Sequence, residues 1–137
     1  LAPGDLEPLD DFRGSIHLCG DLLVVGWGST QGAIVDAVDR ARAEGRKVST
    51  VQLTFLSPLE PGLKEIFSRF DKVMTIETNW SDHPEEEIID EHNRRYSALA
   101  MLLRSRYLVD VDCWSQVRGA PIKPGTICRV VRARMKA

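Results

Sequence analysis

Short continuous apolar runs alternate along this chain with stretches whose apolar residues recur every three or four positions. Residues 22–26 (Leu-Leu-Val-Val-Gly) contain no polar side chain, the pattern of a strand buried on both faces. Ile34, Ala37, Val38 and Ala41 follow at helical spacing. They predict a helix over 30–44, with Ser29 or Thr30 able to cap it and Gly45 to end it. Residues 48–53 read as a second strand. Ser57-Pro58-Leu59 then turns the chain into a helix entered at Pro61, with Leu63, Ile66, Phe67 and Phe70 as its stripe. Residues 72–77 give a third strand, 79–90 an acidic insertion, and 91–106 a helix presenting Tyr96, Leu99, Ala100 and Leu103 on one face. A short fourth strand over 108–111, an extended segment over 120–124 and a helix over 125–134, burying Ile127, Val130 and Val131, complete the pattern.

Strands alternating with helices imply right-handed crossovers and a mainly parallel sheet covered on both faces. The expected fold is a three-layer α/β/α sandwich over residues 21–137. Residues 1–20, rich in Pro, Gly and Asp and without periodicity, read as a lead-in or linker. Met74 is the first methionine, so Leu1 is not an ordinary translation start, and the chain is expected to be a piece of a longer one. The acidic residues among the first thirteen also rule out a signal peptide there.

Composition narrows the functional classes. A length of 137 residues, 43% of them hydrophobic and 28% charged, is that of one ordinary globular domain. A net charge of −2 provides no electrostatic footprint for nucleic acid or an anionic membrane. No apolar stretch approaches the roughly 20 residues that a membrane-spanning helix needs. Cys19, Cys113 and Cys128 are isolated, so neither a disulfide framework nor a cluster site built by this chain alone is expected. The expectation is a reduced, cytoplasmic protein.

The most distinctive local feature is Gly26-Trp27-Gly28-Ser29-Thr30-Gln31-Gly32, between the first strand and its helix. Gly28 permits a sharp turn, and the first helical N–H groups beside Ser29 and Thr30 can hold a phosphate or carboxylate. The spacing is not that of the dinucleotide fingerprint or the P-loop, and there is no lysine, so local physics favours a turn with a cap over a ligand seat. Glu77-Thr78-Asn79 ends the third strand. First and third strands are usually neighbours in open α/β sheets, and their carboxyl ends flank the crevice where ligands or partners sit. Glu77 is therefore either a carboxylate facing that crevice or a backbone cap. Trp27 and Trp80 lie beside the same lip and can anchor an interface. The acidic residues between Asp82 and Glu91 lack the ligand pattern of a calcium loop, and His17, His83 and His92 are too scattered for a metal. There is no G-x-S-x-G elbow and no H-E-x-x-H motif.

The ordered set G-W-G-S-T at 26–30, L-x-P-L at 56–59 and V-M-T-I-E-x-N at 73–79, with the ending YLVDVDCWSQVRGAPIKPGTI, covers most of the chain. It resembles the C-terminal, transketolase-C-like domain of the α subunit of 2-oxoacid:ferredoxin oxidoreductases. One departure is the long insertion from Asp82 to Arg95, where that family carries a shorter passage. The resemblance implies an enzyme that oxidatively decarboxylates a 2-oxoacid to an acyl-CoA, with 2-oxoglutarate preferred here over pyruvate or branched acids. Thiamine diphosphate, magnesium, an iron–sulfur cluster and coenzyme A would serve the whole enzyme, and ferredoxin would receive the electrons. None of these cofactors is expected to be bound by this domain. Its partners would be the other domains of the α subunit and the β subunit, with Trp27, Gly28, Ser29, Thr30, Glu77, Asn79 and Trp80 as binding or interface residues. Two alternatives stay open: a free-standing anion- or nucleotide-binding α/β module, and the equivalent domain of another thiamine enzyme. On the leading expectation, the purified chain shows no iron–sulfur absorbance and no 2-oxoacid-dependent ferredoxin reduction. A bound cluster, or turnover above background, would overturn it.

Overall fold

The computed structural model describes residues 20–53, 62–83, 85–117 and 120–136. The expected lead-in, the Ser57-Pro58-Leu59 turn and the helix entry at Pro61 lie outside the described residues. The first strand, β1 (Gly20–Trp27), has Leu22 to Val25 fully buried, as an apolar run covered from both sides must be. A 3-10 turn (Gly28–Thr30) leads into α1 (Gln31–Ala43), followed by β2 (Val48–Leu53), α2 (Leu63–Phe67) and β3 (Phe70–Glu77). Helix α3 (Ala98–Tyr107), strand β4 (Val111–Ser115) and helix α4 (Pro124–Lys136) complete the chain.

The sheet runs β2-β1-β3-β4 with every neighbouring pair parallel. Alternate residues of each strand divide the core in two. Leu22, Val24, Met74 and Ile76 pack under α1 and α4 through Ile34, Val38, Ile127 and Val131. Leu23, Val25, Val51 and Val73 face α2 and α3 through Ile66, Phe67, Leu99 and Leu103. Helices cover both faces, so the sandwich has three layers. Transverse contacts tighten each outer layer. Arg132 of α4 holds Glu44 at the end of α1, which keeps the Glu44 carboxyl below its usual pKa, chiefly through that hydrogen bond. Phe67 of α2 meets Tyr107 of α3 edge-on, with ring centres 5.8 Å apart.

Three expected boundaries shift, each for a local reason. Phe70 opens β3, where it pairs with Gly20, and is not the last residue of the preceding helix. Strand β4 begins at Val111, because Leu108 still accepts its place at the end of α3 and donates its N–H to Arg104 O at 2.9 Å. Helix α3 starts at Ala98 instead of residue 91. Side chains replace the helical ladder upstream of it. Asp90 Oδ1 accepts from the N–H groups of His92 and Asn93, and Asn93 Oδ1 accepts from Asp90 N. The loop base is closed by Asp82 N to Arg95 O at 2.8 Å and Arg95 N to Asp82 Oδ2 at 2.7 Å. Asn and Asp compete with helix in just this way.

Arg94 draws the same segment against the outer edge of β4. Its guanidinium bonds Asp112 Oδ1 at 2.8 Å and Cys113 O at 3.3 Å, and Arg134 reaches the other oxygen of Asp112 at 3.0 Å. Burial opposes the Arg94 charge, but the hydrogen bond and charge of Asp112 carry its pKa above the ordinary arginine value. Arg104 bonds the outward carbonyl of Val111 at 3.0 Å. Tyr96, expected on the helix, instead lies before it, with Arg94 and Arg104 stacked 4.4 and 4.1 Å from its ring centre.

Leu108 closes α3 with φ +54, the left-handed region that suits glycine, and is 88% exposed. Its side chain contributes little packing to offset that conformation. Leu108→Gly is therefore expected to stabilise the chain by about 0.5–1 kcal/mol, after the greater unfolded-state freedom of glycine is subtracted. The check is a higher urea midpoint at unchanged m-value.

Candidate functional site at the carboxyl end of the sheet

The carboxyl ends of β1 and β3 are adjacent, as the expected lip requires, since Val25 pairs with Thr75 two residues before each strand ends. On the β1 side, Gly28 adopts φ +76 and swings the chain out of the sheet into the 3-10 turn. Gly26 serves a different need. A Cβ there would lie 2.6 Å from both Gln52 Oε1 and Ile34 Cδ1. Gln52 is buried on β2 and donates to Thr50 Oγ1 at 2.9 Å, and Thr50 donates in turn to Val24 O at 2.9 Å. Among the described residues, Gln52 Oε1 has no hydrogen-bond partner.

The anticipated side-chain cap of α1 does not form. Thr30 sits at φ −80, ψ −8, a helical conformation that keeps its hydroxyl away from the following amides. Its Oγ1 instead contacts Trp27 O at 3.4 Å. Ser29 is exposed, and among the described residues no side chain caps either the turn or the helix.

On the β3 side the reverse holds. Glu77 is 6% exposed, and its carboxylate receives five donors. Leu99 N reaches Oε1 at 2.7 Å and Ala100 N reaches Oε2 at 3.2 Å, so Glu77 caps α3. Thr75 Oγ1 donates to Oε2 at 2.6 Å, Asn79 Nδ2 to Oε1 at 2.9 Å, and Ser97 Oγ makes a short bond to Oε2. Asn79 Oδ1 accepts from Ala98 N at 2.9 Å. Together Glu77 and Asn79 satisfy the first three amides of α3. Of the two roles the sequence left open for Glu77, the structure displays the backbone cap.

The predicted residues thus share a lip but not a cavity. Glu77 and Asn79 turn to α3 on one face of the sheet, while Gly28 to Thr30 lead into α1 on the other. What projects from the lip is aromatic: Trp27 is 50% exposed and Trp80 58% exposed, with the Arg95 guanidinium 5.8 Å from the Trp80 ring centre. Sequence reasoning missed Thr75, Ser97, Thr50 and Gln52. The polar interruptions of otherwise apolar strands at 50, 52 and 75 were the available signal.

Replacing Glu77 by Gln puts an amide N–H₂ among fixed donors. It should destabilise the chain by about 2–3 kcal/mol, the cost of stranding buried donors at a charged acceptor. Urea unfolding measures the loss, and faster hydrogen exchange at Leu99 and Ala100 locates it. A loss below about 0.5 kcal/mol would show that the cap does not hold α3.

No family model matches the chain. It is 35% identical over 131 residues to 2-oxoglutarate oxidoreductase subunit KorA of Mycobacterium tuberculosis, a match covering 96% of this chain and 17% of that protein. Over 83 residues it is 36% identical to the α subunit of 2-oxoacid:ferredoxin oxidoreductase 1 of Aeropyrum pernix, covering 56% of this chain and 13% of the relative. The chain therefore spans less than a fifth of these curated relatives. Among solved structures, the 2-oxoglutarate:ferredoxin oxidoreductase of Magnetococcus marinus, determined with 2-oxoglutarate, coenzyme A and succinyl-CoA bound, superposes with a TM-score of 0.66 at 20% identity. That match covers 88% of this chain and 19% of the other. A split-gene transketolase in an inactive β4 tetramer gives a TM-score of 0.57 at 19% identity, over 86% of this chain and 39% of the other. These two likenesses show the fold. With the sequence relatives beside them, the chain is homologous to one domain of the α subunits of 2-oxoacid:ferredoxin oxidoreductases.

Proposed function

We propose that this chain is the C-terminal domain of such an α subunit and works without a catalytic centre of its own, as an assembly element for the catalytic domains. The observation that carries the proposal is the character of the lip. Its one buried carboxylate is occupied by a helix, while two tryptophans stand half exposed beside it. Exposed aromatics at a concave rim are the usual anchors of protein contacts. The lip then meets the other domains of the α subunit or the β subunit, and borders the entrance for substrate and coenzyme A.

The whole enzyme is assigned oxidative decarboxylation of a 2-oxoacid, 2-oxoglutarate before pyruvate, with ferredoxin as electron acceptor and the cytoplasm as its compartment. Thiamine diphosphate with magnesium would supply the carbanion chemistry, and a cluster the electron transfer. The described residues do not fit either group. Cys113 and Cys128 are buried on opposite faces of the sheet, Cys113 receiving Ser97 N and Cys128 donating to Ala37 O. No group of three or more His, Cys, Asp or Glu among the described residues is placed to hold a metal. No reaction step is assigned to this domain. Nor is any helix among the described residues long and apolar enough to cross a membrane.

The uncapped turn at Gly28 to Thr30 favours one second reading, an anion seat at the start of α1. One pair of substitutions separates the two. Trp27→Ala with Ser29→Ala truncates a half-exposed ring and an exposed hydroxyl, so the chain should stay folded and lose about 1–3 kcal/mol of stability. In the complete enzyme the same pair should weaken subunit assembly, measured by size-exclusion chromatography, or 2-oxoacid- and coenzyme A-dependent ferredoxin reduction. Normal assembly and turnover would make the lip merely structural. Tight binding of phosphate or coenzyme A to the isolated chain, lost on Ser29→Ala alone, would establish the anion seat instead.

A further inference from the structure

Beyond Glu77, the ends of β3 and β4 enclose a second feature. A cavity of about 290 Å³ opens between Trp80 and Trp114, with Val117 also lining it. Ser81 and Ser115 are buried there, and their hydroxyls bond each other at 2.6 Å. Trp80 and Val117 are nevertheless 58% and 60% exposed.

The chemistry of this slot restricts its guest. Small-molecule sites usually offer about 300–1,000 Å³ and several convergent polar groups. This slot is at the lower limit, and its two serines already satisfy one another. Among the described residues no Lys, Arg, Asp or Glu lines it, and His83 is the one ionisable side chain that does. Among those residues its lining holds no cation to receive a phosphate or carboxylate, and the Arg95 guanidinium lies over the Trp80 ring, 5.8 Å from its centre. An apolar side chain needs no polar partner there and would cover the exposed parts of Trp80 and Val117.

We infer that the Trp80–Trp114 slot receives an apolar side chain from another domain of the same α subunit. The inference rests on the assembly role proposed above and gives that interface its anchor. Two observations select this occupant. In the homologous KorA, 83% of the polypeptide (100% less the matched 17%) lies outside the region this chain matches, so such a subunit has the domains to supply the guest. The slot also continues the lip: Trp27 ends β1, and Trp80 and Val117 follow the ends of β3 and β4, strands that are consecutive in the sheet. Three exposed apolar residues therefore stand at three neighbouring strand ends, two of them lining the slot.

The test is cysteine accessibility in the complete enzyme. Val117→Cys, Trp27→Cys and Ile88→Cys are made singly, labelled with a maleimide and read by peptide mass mapping, which counts native cysteines separately. Ile88, 78% exposed on the insertion, is the solvent reference. Val117→Cys and Trp27→Cys should each label at least roughly tenfold more slowly than Ile88→Cys, as for a desolvated interface core. Slow labelling at position 27 with fast labelling at 117 overturns the slot and leaves the lip interface standing. Fast labelling at both removes the slot and the assembly role together. Slow labelling at 117 already in this chain alone, relieved by dilution, identifies a second copy as the occupant and overturns the inference. Protection at 117 that is lost on dialysis does the same in favour of a small molecule.

Discussion

The carboxylate of Glu77 fixes how the second half of this domain is assembled. It sits at the end of a central strand and takes amides from a helix 22 residues further on. Between them the chain makes a long excursion, and bringing its ends together costs entropy that grows slowly with length. The cap offsets part of that cost with charge-assisted bonds in a buried setting, where each is stronger than a neutral one. No lysine or arginine among the described residues bonds the carboxylate. The positive end of the α3 dipole and three side-chain donors take that role. The Glu77 backbone carbonyl also accepts Gln116 N at 3.1 Å, so the same residue fastens β4.

The excursion is held at its other side by arginine. Strand β4 is a sheet edge, and an edge offers open carbonyls to any passing strand. Here the outward carbonyls of Val111 and Cys113 receive Arg104 and Arg94, and Asp112 Oδ1 accepts the N–H of Cys113 itself. The insertion is thus more than an acidic loop on the surface. Its Arg94 covers the edge with a bulky cation, and Asp112, shared by Arg94 and Arg134, holds that cation in place.

The fold was legible wherever one period ruled a segment. Leu22 to Val25 could only be a strand covered on both faces, and Ile34, Ala37, Val38 and Ala41 could only be one face of a helix. Legibility failed where side chains replaced backbone. Residues 91–97 carry nothing that forbids helix, yet Asp90 and Asn93 bond the local amides and Arg94 is drawn to a strand that comes later in the chain. The lip was half legible. Its position followed from strand order, but the use of Glu77 depended on where α3 begins, which periodicity did not fix. Gln52 and Thr50 were missed because their polar groups face Gly26 and a neighbouring strand, partners that no local pattern reveals.

These constraints make the two sides of the lip unlike. At β3 and β4, Glu77, Asn79 and the Ser81–Ser115 pair tie strand ends, helix start and loop together, so Trp80 projects from a braced base. At β1, Gly28 holds a left-handed turn, and the following amides have no side-chain cap among the described residues. Water can satisfy those amides in the isolated chain, and a neighbouring domain's carbonyls can satisfy them in an assembly. Under the assembly role proposed above, a surface braced at Trp80 and open at the start of α1 suits docking better than chemistry. Trp27 and Trp80 would lose little conformational freedom when buried, and the amides after Gly28 would prefer a neighbour that brings acceptors to them.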